Sequence, residues 1–126
     1  MLKLTTSRLV YEHIHPFLDN LTYESMYITL LNTGNQLIKS VCISEWGIGG
    51  TQVDPKKVFK IALDHYAAGI LLSPNHPSEN LQPRTSYIVL TKKIVEVGKL
   101  LDINVTDHLI IGEDGYFSFS DEGMMG

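Results

Sequence analysis

The pattern of hydrophobic and polar positions predicts eight elements of secondary structure, in the order αββαβαββ. Three segments carry apolar residues every three or four positions, which is typical of helices with one buried face. Five shorter segments bounded by turn residues have the character of strands. One of them is wholly apolar, as expected of a strand that is covered on both faces. The predicted helices are 7–18, 55–66 and 87–101, and the predicted strands are 23–31, 36–45, 69–73, 104–111 and 116–119.

Residues at the ends of these segments support the boundaries. Ser7 is a candidate N-cap of the first helix, which Pro16 is expected to kink or end. Asp54 followed by Pro55 is typical of a helix start, with a capping side chain and proline at the first helical position. The longest helix has an apolar stripe at spacings of 3, 4, 3 and 4 residues, formed by Tyr87, Leu90, Ile94, Val97 and Leu101. We therefore expect an α/β fold with a mixed sheet sandwiched by helices.

Composition and charge narrow the possible functions. The chain has 126 residues, 44% of them hydrophobic and 19% charged, which predicts one domain over residues 1–126. Its 10 Lys and Arg against 14 Asp and Glu give a net charge of −4, so a nucleic-acid partner is not expected. No segment approaches the roughly 20 apolar residues that a membrane span needs. A single cysteine, Cys42, excludes a disulfide framework or a Cys-rich zinc site and favours a cytoplasmic setting.

Two short motifs do not indicate function. The glycines of Gly47-Ile-Gly49-Gly50 lack the third glycine and the lysine of phosphate-binding loops, and we interpret them as a turn. His13 and His15 are two residues apart on a predicted helix, so their side chains point about 200° away from each other and cannot share a metal ion.

The segment Ser-Pro-Asn-His-Pro-Ser at 73–78 is more informative. It follows the buried strand and precedes the longest helix, at the kind of position where α/β sheets place ligand sites. His76 and Ser78 are its candidate functional side chains. With one cysteine in the chain, any zinc site must use histidines and carboxylates.

Segments along most of the chain resemble the RadC family, and more specifically its JAB domain of the MPN, or JAMM, superfamily. The resemblance implies a JAB/MPN architecture related to the cytidine-deaminase-like sandwiches. The N-terminal helical region of full-length RadC proteins has no counterpart in this sequence. The matching segments are 23–32, 53–63, Leu-Leu-Ser-Pro-Asn-His-Pro-Ser at 71–78, Leu-Thr-Lys-Lys at 90–93, Gly-Lys-Leu-Leu at 98–101, Asp-His-Leu-Ile-Ile-Gly at 107–112 and Tyr-Phe-Ser-Phe at 116–119.

The motif of active relatives implies a zinc-dependent amide hydrolase. It consists of an upstream Glu as general base, then His-x-His, seven further residues, a Ser, two further residues and an Asp. The His and Asp side chains hold zinc, whose bound water attacks the amide. Here Glu24 is at the general-base position and His76 matches the second histidine. Pro74, Arg84 and Tyr87 replace the first histidine, the serine and the aspartate. A proline has no donor atom and a phenol is largely protonated at neutral pH, so we expect the catalytic centre to be lost.

The replacements suggest how the former site is filled. Tyr87 is the first residue of the apolar stripe of its helix, so its ring is expected to point into the former zinc pocket. Arg84, on the same helix face, could pair with Glu24 or Glu79 and partly replace the charge of the ion. Asp107 and His108 belong to a separate part of the family pattern, and as neighbours on a strand at most one of them can point inward.

Three functions remain open at this stage. The first is a RadC-like JAB domain with a degenerate zinc site, no cofactor and a binding or scaffold role toward an unknown protein partner. The second is a zinc metallopeptidase with residual activity that uses His76 and other ligands. The third is a DNA-repair accessory protein, as the family label suggests, although the net charge of −4 gives it little support. Exposed strand edges would also permit a homo-oligomer.

Overall fold

The computed structural model confirms the number, type and order of the predicted elements. It describes residues 2–18, 24–46, 53–76, 81, 83, 85–112 and 114–125. Seven of the sixteen helix and strand ends differ from the predicted ones, each by one or two residues. The elements are α1 (Ser7–Leu18), β1 (Glu24–Leu31), β2 (Leu37–Trp46), α2 (Pro55–Asp64), β3 (Gly69–Pro74), α3 (Thr85–Leu101), β4 (Asn104–Ile111) and β5 (Tyr116–Ser118).

The five strands form one mixed sheet in the order β2-β1-β3-β4-β5. β3 and β4 are parallel, while the other neighbouring pairs are antiparallel. Helix α1 packs on one face of the sheet, and its buried residues share a core cluster with Leu31, Leu71 and Leu109. Helices α2 and α3 cover the other face through a second cluster. The predicted α/β sandwich is therefore confirmed. Within the described residues, no helix is long and apolar enough to cross a membrane.

The first two helices begin at side-chain caps, as expected, although one of the caps was predicted at the wrong residue. Asp54 accepts a hydrogen bond from the backbone N–H of Lys56 at 2.9 Å and starts α2. In α1 the capping side chain is Thr6, which accepts from the N–H of Leu9 at 3.2 Å, so the prediction of Ser7 as the cap was wrong by one residue. Pro16 lies within α1, which ends two residues later.

The buried face of α3 is rotated from the predicted stripe. Its buried residues are Tyr87, Thr91, Ile94 and Gly98, whereas Leu101 is 40% exposed. The reason is the close approach of the helix to the chain that enters β4. A Cβ atom placed on Gly98 would lie 2.4 Å from the carbonyl oxygen of Ile103, so only glycine fits there. Hydrophobic periodicity cannot detect this rotation of the buried face, because two of the buried residues, Thr91 and Gly98, are polar or small.

Replacing Gly98 with alanine is expected to destabilise the protein, although alanine is the better helix former. The new methyl group must displace the backbone at Ile103, and overpacking of this kind costs about 1–3 kcal/mol, more than the gain in helix propensity of about 1 kcal/mol. Urea denaturation would measure the difference. Gly115→Ala is the matched control, because its Cβ would meet only Leu81 Cδ1, at 3.8 Å. An unchanged midpoint for Gly98→Ala would contradict the expectation.

Candidate functional site

The candidate site lies where β3 ends beside the beginning of β1. Met26 pairs with Pro74 in the antiparallel register of these strands. Beyond the strand, Asn75 Oδ1 accepts hydrogen bonds from the N–H and the hydroxyl of Ser25, at 2.6 and 3.1 Å. The N–H of Asn75 donates to the carbonyl of Ser25 at 3.2 Å. Continuing this register by one more pair places Glu24 level with His76, and cross-strand partners share a face of the sheet.

His76 is fixed between the strands by its backbone. Its N–H donates to the carbonyl oxygen of Ile111 in β4, at 2.8 Å. The side chain is only 4% exposed. The imidazole therefore enters the layer between the sheet and α3 rather than the solvent.

Four rings form a chain in that layer, which we call the ring cluster: His76, Tyr87, His108 and Phe119. The ring centroid of Tyr87 lies 5.5 Å from that of His76 and 5.2 Å from that of His108. His108 in turn stacks on Phe119, with centroids 4.5 Å apart and an interplanar angle of 9°. All four residues are at most 4% exposed. Tyr87 thus points into the pocket, as its place on the helix predicts, and it lies between the two histidines.

A bulge in β4 brings His108 into this cluster. Ile70 pairs with Val105, but the next residue of β3, Leu71, pairs with Asp107, so Thr106 is an extra residue on β4. One extra residue reverses the alternation of faces. Val105 therefore faces the α2 and α3 side before the bulge, and His108 faces it afterwards. The sequence showed that only one of Asp107 and His108 could point inward, and the bulge decides that it is His108.

The hydrogen bonds of His108 determine which of its two ring nitrogens carries the proton. The hydroxyl of Thr91 donates to the carbonyl of Tyr87 at 2.8 Å and lies 2.6 Å from His108 Nδ1. Since the hydroxyl has one hydrogen, its oxygen accepts from a protonated Nδ1. The lone pair is then on Nε2, which is buried without a hydrogen-bond partner among the described residues. Burial, with a smaller contribution from the charge of His76, lowers the pKa of His108 to about 3, so the ring is neutral at pH 7.

Asp107 lies on the opposite face of β4, where its carboxylate accepts three hydrogen bonds. Its Oδ1 accepts from the N–H groups of His108 and Ser120, at 2.8 and 2.9 Å, and its Oδ2 accepts from the Ser118 hydroxyl at 2.6 Å. Burial raises the pKa of the carboxyl, and these hydrogen bonds oppose the shift. The carboxylate therefore ties β4 to β5 and to the turn that follows it.

The structure brings together some of the sequence-predicted site residues. Glu24, Pro74, His76, Tyr87 and His108 all border the layer beneath α3. Ser78 and Arg84 lie outside the described residues, so the expected pairing of Arg84 with Glu24 or Glu79 stays a prediction. Sequence reasoning missed the placement of His108 beside Tyr87, and it missed Thr91 and Phe119 altogether. No local signal could have found these contacts, because they depend on the parallel pairing of β3 with β4.

No group of three or more His, Cys, Asp or Glu side chains is arranged to hold a metal ion within the part of the chain that the structure describes. The side chains nearest to His76 in the ring cluster are a phenol and a second imidazole.

Comparison with known proteins agrees with the architecture. The profile of the RadC-like JAB domain matches residues 4–124. The chain belongs to this family. Its residues described above therefore occupy a RadC-like JAB domain, and the resemblance seen in the sequence is confirmed.

Similar full-length proteins carry no assigned activity in their names. A UPF0758 protein of Flavobacterium johnsoniae is 40% identical over 122 residues, which is 97% of this chain and 53% of that protein. A UPF0758 protein of Porphyromonas gingivalis is 40% identical over 97% of this chain and 54% of its own length. A third, from Symbiobacterium thermophilum, is 35% identical over 97% of this chain and 52% of its own. The RadC-like JAB domain here thus spans about half the length of these curated relatives.

Proposed function

We propose that this RadC-like JAB domain does not hold the zinc ion of active JAMM proteins, that its former zinc site is non-catalytic, and that the domain acts as a binding or scaffold module. The observation that carries the proposal is the position of Tyr87. Its ring lies between His76 and His108, with centroids 5.5 and 5.2 Å away, at the motif position of the zinc-binding aspartate.

The donor set does not fit zinc. Structural and catalytic zinc sites use at least three protein ligands drawn from Cys, His, Asp and Glu. At the three ligand positions of the motif this chain has Pro74, His76 and Tyr87. Pro74 offers no side-chain donor, and tyrosine is a poor zinc ligand because a phenol is ordinarily protonated at neutral pH. His108 Nε2 carries a lone pair, but with His76 it makes only two imidazoles.

Packing supports a structural role for the same residues. Tyr87 and Phe119 belong to a core cluster with Ile110, and His108 stacks nearly parallel to Phe119. Stacked and edge-on aromatic contacts stabilise a core beyond the area that they bury. A pocket filled by packed rings leaves little room for an ion, a water molecule and an amide substrate. We therefore derive no hydrolytic step at the ring cluster.

Restoring the ligands tests the proposal. The parent protein, purified without chelator, is expected to contain less than about 0.1 equivalent of zinc. The double variant Pro74→His/Tyr87→Asp recreates both missing ligands and is expected to bind zinc at least about tenfold more tightly than the parent, about 1.4 kcal/mol. Elemental analysis and isothermal titration with ZnCl₂ measure both quantities.

The matched control is Leu100→His/Tyr66→Asp, which adds the same residue types at two exposed positions, since Leu100 is 85% exposed. Tyr66 is 93% exposed and has a positive φ of 53°, which aspartate tolerates. This control should behave like the parent. One equivalent of tightly held zinc in the parent would overturn the proposal and favour the metallopeptidase.

A further inference from the structure

A second polar cluster lies on the opposite face of the sheet, between α1 and the strands. It consists of His13 in α1, Ser40 in β2 and Thr29 in β1, and we call it the His–Ser–Thr cluster. His13 Nε2 lies 3.0 Å from Ser40 Oγ, which lies 2.9 Å from Thr29 Oγ1. Thr29 and Ser40 are register partners, so their side chains are on the same face. None of the three belongs to the ring cluster or to the family motif described above.

Burial fixes the direction of these hydrogen bonds. Thr29 is fully buried, and Ser40 is its only side-chain hydrogen-bond partner among the described residues. A buried hydroxyl proton without an acceptor is costly, so Thr29 donates to Ser40. The Ser40 hydroxyl then has its own hydrogen available for His13. It donates to Nε2, which must carry the lone pair, while Nδ1 carries the proton.

This direction is the one that activates a serine. In serine hydrolases, a neutral histidine accepts the hydroxyl proton as the oxygen attacks. Burial lowers the pKa of His13, which keeps the imidazole neutral and able to accept a proton at pH 7. Thr29 meanwhile holds the Ser40 oxygen in place from the buried side.

The surroundings of the cluster indicate what could approach it. His13 and Ser40 are both half-buried, so solvent reaches them, and β2 is the outermost strand of the sheet. The ring of Phe17 meets His13 edge-on at 5.6 Å and stacks on Tyr27 at 5.6 Å. Phe17 is 48% exposed. An apolar aromatic surface thus lies directly beside the nucleophile and its base.

We propose that Ser40 is a nucleophile, with His13 as its general base and Thr29 as a positioning residue, and that it reacts with activated esters carrying an apolar or aromatic group. The Ser40 oxygen forms a bond to the acyl carbon as its proton moves to His13 Nε2. The bond from that carbon to the leaving alcohol breaks, and the alcohol takes the proton from His13. The product is an ester of Ser40, which water can hydrolyse.

A fluorophosphonate probe tests the nucleophile directly. The Ser40 oxygen bonds to phosphorus, fluoride leaves, and the hydroxyl proton passes through His13 to water. We expect labelling of one site, and peptide mass spectrometry should place it on Ser40. Ser40→Ala should abolish the label, and His13→Gln should slow it about 100-fold. The control His15→Gln removes a histidine of the same helix whose ring packs on Tyr11, and it should label at the parental rate.

Two substitutions of Thr29 distinguish a positioning role of this residue from a merely structural one. Thr29→Val keeps the shape but removes the donor, and should slow labelling about tenfold. Thr29→Ser restores the hydroxyl and should recover the parental rate. Circular dichroism and thermal unfolding of each variant distinguish slow labelling from loss of fold. An unlabelled parent, a label on another serine, or a parental rate in folded His13→Gln would overturn the proposal.

Discussion

Replacing Asp107 with alanine is expected to lower the free energy of unfolding by about 3 kcal/mol, because it leaves three donors without their acceptor. These donors are the N–H groups of His108 and Ser120 and the hydroxyl of Ser118, all within 2.9 Å of the carboxylate. Asp107 is 5% exposed, so water cannot easily replace it. The loss should appear as a lower midpoint of urea denaturation at pH 7, with an unchanged m-value.

Asp107→Asn distinguishes the hydrogen bonds from the charge. An asparagine oxygen can accept from both N–H groups, and its amide nitrogen can donate to Ser118 Oγ. Burial raises the pKa of the native carboxyl, which means that the charge itself is disfavoured there. Only the Ser118 hydroxyl proton loses its acceptor, so we expect Asp107→Asn to lose about 1–2 kcal/mol, less than Asp107→Ala. If asparagine proved as damaging as alanine, the charge rather than the hydrogen bonds would be responsible.

Secondary structure was predictable here because strong local signals mark each segment. Asp54 and Pro55 define the start of α2, and the apolar run at 69–72 defines the buried strand. The motif positions come from the resemblance to the RadC family and stay predictions. Counting from His76 identifies Tyr87 as the residue at the aspartate position, and its place on the helix predicts an inward ring. Local pattern and motif thus agree at this residue.

Contacts that depend on register were not predictable. Whether Asp107 or His108 faces α3 depends on the bulge at Thr106, and nothing in the neighbouring sequence marks that extra residue. Similarly, α3 turns Gly98 toward the chain because the backbone at Ile103 is too close for a side chain. A prediction from apolar periodicity assigns large apolar residues to the buried face of a helix. It therefore misses the true buried face of α3, which includes Thr91 and Gly98. The first of these features depends on a strand bulge and the second on close backbone approach, and a single sequence encodes neither of them locally.

The protein is expected to lose stability steeply in acid, and His108 is the main single cause that the structure identifies. Burial lowers its pKa from 6.5 to about 3 in the folded protein. Below pH 6.5 the unfolded chain therefore binds a proton that the folded protein excludes. The contribution is fully present above pH 6.5 and decreases by about 1.4 kcal/mol per pH unit as the pH falls toward 3. Over that range the loss is on the order of 4 kcal/mol.

His108→Phe isolates this group, because phenylalanine can stack on Phe119 without titrating. Thr91 keeps its hydrogen bond to the carbonyl of Tyr87, so the variant leaves no hydroxyl proton without an acceptor. The free energy of unfolding from urea titrations between pH 7 and 4 should fall much less in His108→Phe than in the parent. His65→Phe removes an imidazole at the end of α2 that is not part of the ring cluster, and as the control it should retain the parental slope. If His108→Phe showed the same slope as the parent, His108 would not be the group that makes the protein acid-sensitive, and its burial as a neutral ring would need another explanation.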